Sequence, residues 1–412
     1  MARVKRCSRR LLFALYKAAR WLSLLSSSLD MQRQPMQLIA PQRRRKKLCT
    51  LLWRVFVTNI FWAVQHSMFY TFKSVSSYAD LMALLQSASV SVFAVFSFVG
   101  QARAESSCLA IVNRYIALHA RICKLSNSSN LLPLKFSLLY ALKLLLTLCG
   151  LLYELQGLWQ NRMSLESWIG NIIGVYMWLG TLFVLDATFL GLLLSGVYYE
   201  HLGMHIELML QRLQALDVAS CPTHARLSHY RRMCLLCDFA DELDTCGLLY
   251  SELYDLTRSF VCIFQWQILF YIYYNFIEIL LMMYDYICQR LDTQTGDMFT
   301  IFLASIKFAN ILMLIMCADY TIKKSQLPHR LALDIVCSDM DLRWDKSAES
   351  FIGQLQAQIL EVNILGIVQL NNGFIPVILS AIITYLFILI QFGFTGGFKA
   401  VHEVVAMAIN NN

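Results

Sequence analysis

The sequence predicts an all-α membrane protein with seven transmembrane helices. Its N-terminus is expected in the cytoplasm and its C-terminus outside, with helices 4–6 extended into a cytoplasmic anchor layer. Three observations predict this. Of the 412 residues, 58% are hydrophobic and 15% are charged, whereas a soluble domain carries roughly 45–50% apolar and about 25% charged residues. Seven stretches, 51–72, 80–101, 132–154, 170–197, 258–287, 299–320 and 373–394, are largely apolar. Each is long enough to cross a hydrocarbon core about 30 Å thick, which takes about 20 helical residues. Lipid offers no hydrogen bonds to the backbone, so such spans are helices rather than open strands. Finally, basic residues alternate between the loops.

Fourteen Lys and Arg lie between Arg3 and Arg54, including Arg43–Lys47. The next loop has Lys73 alone, and the one after it has Arg103, Arg114, Arg121 and Lys124. Arg162 follows alone, then Arg212, Arg226, Arg231 and Arg232. Arg290 is single, Lys323, Lys324, Arg330, Arg343 and Lys346 come together, and Lys399 is alone in the tail. Positive-inside sorting produces this alternation and gives the orientation. The net charge of +8 is thus a topology signal facing anionic lipid, and nucleic acid is not an expected partner.

The chain divides accordingly. Residues 1–50 form a basic cytoplasmic segment, in which Leu11–Leu29 suits an amphipathic surface helix better than a signal peptide. Residues 51–320 form a six-helix bundle with a cytoplasmic extension at 198–257. Residues 321–372 form an anchor segment, 373–394 the last helix and 395–412 a short extracellular tail. In the extension, Ile206, Met209, Leu210, Leu213 and Leu216 recur at helical spacing opposite Gln211, Arg212 and Gln214. Leu235, Phe239, Leu243 and Leu249 continue apolar contacts after Cys221–Pro222. Too little chain lies between for a catalytic fold, so no enzymatic activity or cofactor is expected. The sequon at Asn127–Ser129 falls in a cytoplasmic loop, where no glycan is expected.

Charged residues inside spans are costly and therefore informative. Lys143 and Asp186 lie at matching depth in spans 3 and 4, and Glu278 and Lys307 lie slightly outward in spans 5 and 6. Either the four form two interhelical ion pairs, or each lysine snorkels or faces a wet cavity alone. His224, His229, Cys234 and Cys237 carry metal-ligating atoms, but the spacing matches no established zinc site and no metal is expected. Asn113–Arg114–Tyr115 is similar to the Asp-Arg-Tyr corner of G-protein-coupled receptors. It follows the second span instead of the third, on a chain of opposite orientation, and reads as coincidence. A secondary transporter would show internal repeats and helices broken at mid-membrane, and neither is present.

In the last span Ser380, Thr384, Ile388 and Gln391 recur at i, i+4, i+8 and i+11, a polar stripe on an apolar helix. Such a stripe can bind helices together by hydrogen bonds or line water around a symmetry axis. The run Thr384–Phe392 reads T-Y, five apolar residues, Q-F, and resembles the signature closing the last span of insect gustatory receptors. That family's spans, orientation and length of about 400 residues agree with the chain. The resemblance implies a ligand-gated, nonselective cation channel in the plasma membrane of a sensory neuron dendrite. It also implies assembly as a tetramer, alone or with other gustatory receptor subunits, around one pore lined by the last span. Gln391 and Phe392 would form the constriction and gate, and Thr384 and Tyr385 would brace or line the helix beneath. A tastant, by preference a bitter compound, would bind among spans 2 to 6 near Gln86, Ser89, Tyr176, Trp178, Tyr274, Glu278 and Lys307. Tyr153 and Tyr284 suit the interfacial aromatic belt better. The sister odorant receptors share this architecture. No acidic ring is present in the last span, so monovalent and divalent cations would both permeate.

Overall fold

A computed structural model describes residues 13, 16–17, 28–30, 37–39, 44–71, 78–126, 132–160, 165–218, 229–293, 298–332 and 341–394. Seven long helices organise these residues: α1 (Arg44–Thr71), α2 (Tyr78–Leu125), α3 (Leu134–Gln160), α4 (Leu165–Val218), α5 (His229–Thr293) and α6 (Met298–Ser325), with α9 (Phe374–Phe394) as the last. Two short helices, α7 (Leu327–Ala332) and α8 (Leu342–Ala357), precede α9. Antiparallel strand pairs add β1 (Ser28–Asp30) with β2 (Gln37–Ile39), and β3 (Asn363–Ile364) with β4 (Val368–Gln369). Among the described residues five stretches meet the length and apolarity of a membrane crossing, on α3, α4, α5, α6 running into α7, and α9. The first two expected spans fall on α1 and α2, and many of their side chains lie outside the described residues.

Helix length separates the membrane-crossing part from a layer beyond it. At about 1.5 Å per residue, α4 (54 residues) is about 81 Å long and α5 (65 residues) about 98 Å. Both far exceed the about 30 Å that lipid requires. One expectation needs correction. The extension belongs also to α2, where residues 102–125 continue the helix in place of a loop, because Ile111, Tyr115, Leu118 and Ile122 form a buried stripe against α4 and α5. α6 runs 28 residues to Ser325, and the chain turns through Gln326 into α7.

The layer beyond the membrane packs by simple rules. α8 is capped by Asp341, whose Oδ1 accepts the Arg343 N–H at 3.0 Å. It buries Trp344, Ala348, Phe351 and Leu355 against α5. Ile206, Met209, Leu210, Phe239, Leu243 and Leu249 are buried in the same core, while Gln211, Arg212 and Gln214 are exposed. His329 on α7 sets Nε2 2.7 Å from the Leu355 carbonyl, joining α7 to α8. The β3–β4 turn places Leu365 at φ 52° and Gly366 at φ 69°, the positive pair that a tight hairpin of matching twist requires. Along α4, Gly191 and Gly196 admit close neighbours: a Cβ would lie 2.3 Å from the Phe260 ring at the first and 2.6 Å from the Tyr320 ring at the second.

The Asn113–Arg114–Tyr115 sequence has a structural task here. The Asn113 side chain accepts the Leu38 N–H at 2.7 Å and donates to the Leu38 carbonyl at 2.8 Å, fastening strand β2 to α2. Tyr115 is buried, with its hydroxyl 2.6 Å from Ser195 Oγ. Arg114 is exposed.

Candidate functional site

Four helices of the bundle carry a polar seam through an otherwise apolar interior. From α3, Lys143 Nζ lies 3.3 Å from Asp186 Oδ1 on α4, and both side chains are almost fully buried. The same ammonium donates to Asn310 Oδ1 on α6 at 2.7 Å. Thr147, one turn above Lys143, donates to Asp186 Oδ1 at 3.0 Å. One turn from Asn310, Lys307 Nζ lies 2.8 Å from Glu278 Oε2 on α5 and 5.2 Å from the centre of the Tyr274 ring. Both charge pairs are therefore interhelical. A buried charge without a partner costs several kcal/mol, and each pair here is supplemented by hydrogen bonds or ring contacts.

A cavity of about 30 Å³ opens against this seam, lined by Thr147, Leu182, Tyr271, Tyr274, Lys307 and Asn310 among others. Small-molecule sites occupy roughly 300–1,000 Å³, so an organic ligand enters only if the helices move apart. Of the expected pocket residues, Tyr274 and Lys307 line the cavity, and Glu278 stands behind Lys307. Tyr176 does not line it. Its hydroxyl accepts the Trp53 indole N–H at 3.2 Å, because α1 crosses there and its Val57 and Phe61 pack on that stretch of α4. Tyr284 is half-buried on α5. The side chains of Gln86, Ser89, Tyr153 and Trp178 lie outside the described residues. Sequence reasoning missed Thr147 and Asn310, whose signal was their position one helical turn from a buried lysine.

The last helix is placed differently. Ile378 and Ile382 of α9 are buried, and Leu386 and Leu389 pack partly against the core. Ser380, Thr384, Ile388 and Gln391 each sit two residues from one of these, or about 200° around a helix, and all four are exposed. Thr384 satisfies its hydroxyl internally, donating to the Ser380 carbonyl at 2.8 Å. Tyr385 is half-exposed and meets Phe276 of α5 edge to face, with ring centres 6.0 Å apart. The Phe392 side chain and the tail 395–412 lie outside the described residues, as do the sequon at Asn127–Ser129, nearly all of Leu11–Leu29, and the side chains of His224 and His229. Cys234 is exposed, and the Cys237 thiol points at Asp341 Oδ2 at 3.3 Å. Among the described residues no three His, Cys, Asp or Glu side chains cluster as a metal site.

A model of the 7tm chemosensory receptor family matches residues 12–396 of this sequence. The chain belongs to that family. It is a multi-pass membrane receptor, and the family consists of receptors, not enzymes. The gustatory receptor for bitter taste 93a of Drosophila melanogaster is 51% identical over 408 residues, spanning 98% of this chain and 96% of that one. The putative gustatory receptor 93b of the same fly is 25% identical across 69% of each chain. Among solved structures, the olfactory receptor OR5 of the insect Machilis hrabei superposes with a TM-score of 0.61 at 10% identity, covering 92% of this chain and 99% of its own. The same receptor in complex with eugenol gives a TM-score of 0.58 over 93% and 98% of the two chains. The chemosensory receptor thus has the insect olfactory receptor fold.

Proposed function

We propose that this chain is a gustatory receptor acting as a ligand-gated, nonselective cation channel for small-molecule tastants, bitter compounds foremost. The observation that carries the reading is the orientation of α9. Its polar stripe, Ser380–Thr384–Ile388–Gln391, points away from the chain's own core. In a lone subunit that stripe would face hydrocarbon, where polar groups are costly. Around a symmetry axis, copies of the stripe line water instead. Four subunits would place four such helices about one pore, with Gln391 and Phe392 at the outer constriction and Thr384 and Tyr385 beneath. A ring of Phe392 closes a pore by dewetting, and uncharged Gln391 passes monovalent and divalent cations alike.

The N-terminus lies in the cytoplasm and the C-terminus outside. The extended ends of α2, α4 and α5, with α7 and α8, form the anchor layer between subunits. The tastant binds in the cavity at Tyr274, Lys307 and Asn310, and biases opening through contacts better made in the expanded state. The bitter class is supported by the 51%-identical relative, a gustatory receptor for bitter taste, and binding of a small organic molecule by the eugenol complex of the fold relative. The receptor sits in the plasma membrane of sensory dendrites, alone or with other gustatory receptor subunits.

Whole-cell current in cells expressing the chain, tested against bitter compounds and sugars, checks this. An evoked cation current whose permeability ratios change in Gln391→Ala supports it, whereas a surface-expressed monomer contradicts it.

A further inference from the structure

The cavity and the last helix are separate features that two helices reach: α5 touches both through Tyr274 and Phe276, and α6 joins the cavity to the turn that opens α9. α6 runs unbroken from Met298 to Ser325. Near its middle it presents Lys307 and Asn310 to the cavity. Twelve residues beyond Lys307, about 18 Å along the axis at about 1.5 Å per residue, the same helix buries Asp319, which is 8% exposed.

The Asp319 carboxylate is divided between two partners. Oδ1 accepts the backbone N–H of Asn372 at 3.2 Å. Oδ2 lies 2.7 Å from Nζ of Lys323, an exposed residue one turn on. Asn372 belongs to the turn that opens α9: its carbonyl accepts the Ile375 N–H at 3.3 Å, and the Asn371 carbonyl accepts the Phe374 N–H at 3.0 Å. The carboxylate thus grips the first turn of the last helix. A negative charge is also favoured there by the helix dipole.

The other contacts of α9 with the bundle are largely apolar, through Ile378, Ile382, Leu386 and the Tyr385 ring. Such contacts are non-directional and tolerate sliding. A charge-assisted hydrogen bond to a backbone N–H is short-ranged and directional. It therefore follows a displacement of α6 in a way that the apolar face does not.

We propose that Asp319 is the positioning residue that couples the cavity to α9: movement of α6 at Lys307 and Asn310 is passed to the start of the last helix through the Asp319–Asn372 bond. Together with the channel reading above, on which its gating role rests, this makes Asp319 the link between tastant occupancy and pore opening. Expansion of the cavity displaces α6 along its length, and the grip at Asn372 turns that into a shift of the base of α9.

Hydrogen exchange on the purified full-length chain in nanodiscs tests the coupling without a ligand, using a cavity substitution as the probe. The readout is the peptide covering 370–377. Lys307→Met, with Asn310→Ala as the milder second probe, is expected to change its exchange rate at least threefold. Asp319→Ala is expected to raise it about tenfold and to remove any further response to either probe. Asp319→Asn, which keeps an oxygen acceptor, is expected to restore part of that response, a rescue that general loosening would not give. Additive effects of the probe and Asp319→Ala overturn the proposal, as does an unchanged peptide in Asp319→Ala. Current recordings on the same variants separate the two readings. Coupling seen by exchange with no evoked current in the unsubstituted chain contradicts the channel reading and leaves the contact standing. Evoked current that is identical in Asp319→Ala at equal surface level overturns the gating role.

Discussion

In Met298–Leu331, which is α6 with α7, the most apolar 18 residues are nearly as apolar as Phe374–Gln391 of α9, yet 50% of the former and 11% of the latter are buried inside the chain. Composition alone does not separate these helices, yet their polar residues solve opposite problems. On α6, Lys307, Asn310 and Asp319 turn inward, and each has a partner on a neighbouring helix or turn. On α9, Ser380, Thr384 and Gln391 turn away from the core. Polar groups are tolerated in an apolar helix either by pairing inside the chain or by finding water outside it. The first arrangement holds the receptor together, and the second is the one that the proposed channel uses for permeation.

If that contrast is right, substitutions on the two helix systems differ in kind. The largest effect is expected at the seam. Lys143→Met leaves the Asp186 carboxylate buried without its cation, at a cost of about 3–5 kcal/mol. Thermal unfolding of the detergent-solubilised chain should fall sharply, and adding Asp186→Leu should recover most of the loss. A wild-type melting curve for Lys143→Met alone would remove the seam from the account. Next comes Gly196→Ala on α4. Its Cβ would meet the Tyr320 ring at 2.6 Å, while the Tyr320 hydroxyl is held by Glu200 at 2.8 Å. Overpacking of this kind costs about 1–3 kcal/mol, read as reduced melting temperature and surface expression.

The contact between the two systems is smaller. A double-mutant cycle of Phe276→Ala and Tyr385→Ala should give a coupling of about 0.5–1.5 kcal/mol, typical of an edge-to-face pair. A coupling of zero would detach α9 from α5 at that level. Smallest in stability is Gln391→Ala, at an exposed position of α9. It is expected to leave the melting curve within about 0.5 kcal/mol of wild type and to alter only the current.

The sequence made the membrane elements legible because lipid imposes length and internal hydrogen bonding on every crossing. Matching depth brought Lys143 to Asp186 and Glu278 to Lys307, since a charge in hydrocarbon must find its opposite at the same level. The structure beyond the spans was less legible. The lower half of α2 carries Arg103, Glu105 and Arg114, which end the hydropathy signal while the backbone stays helical. The α2 clamp on Leu38 and the grip of Asp319 on Asn372 join backbone groups to side chains 75 and 53 residues away. A backbone partner has no residue signature, so no pattern in the sequence announces it. The contact of Tyr176 with α1 is illegible for a related reason: the periodicity of α4 gives its faces but not which helix covers each.

In the proposed channel one face of α9 lines water and the other packs on the core. Substituted-cysteine accessibility tests this directly, by applying a membrane-impermeant, thiol-reactive cation during evoked current in a background whose native cysteines do not respond. Thr384→Cys and Ile388→Cys are expected to lose current on modification, and Ile382→Cys is expected to be unaffected. Equal modification of Ile382→Cys, or none at Thr384→Cys and Ile388→Cys, would contradict the account.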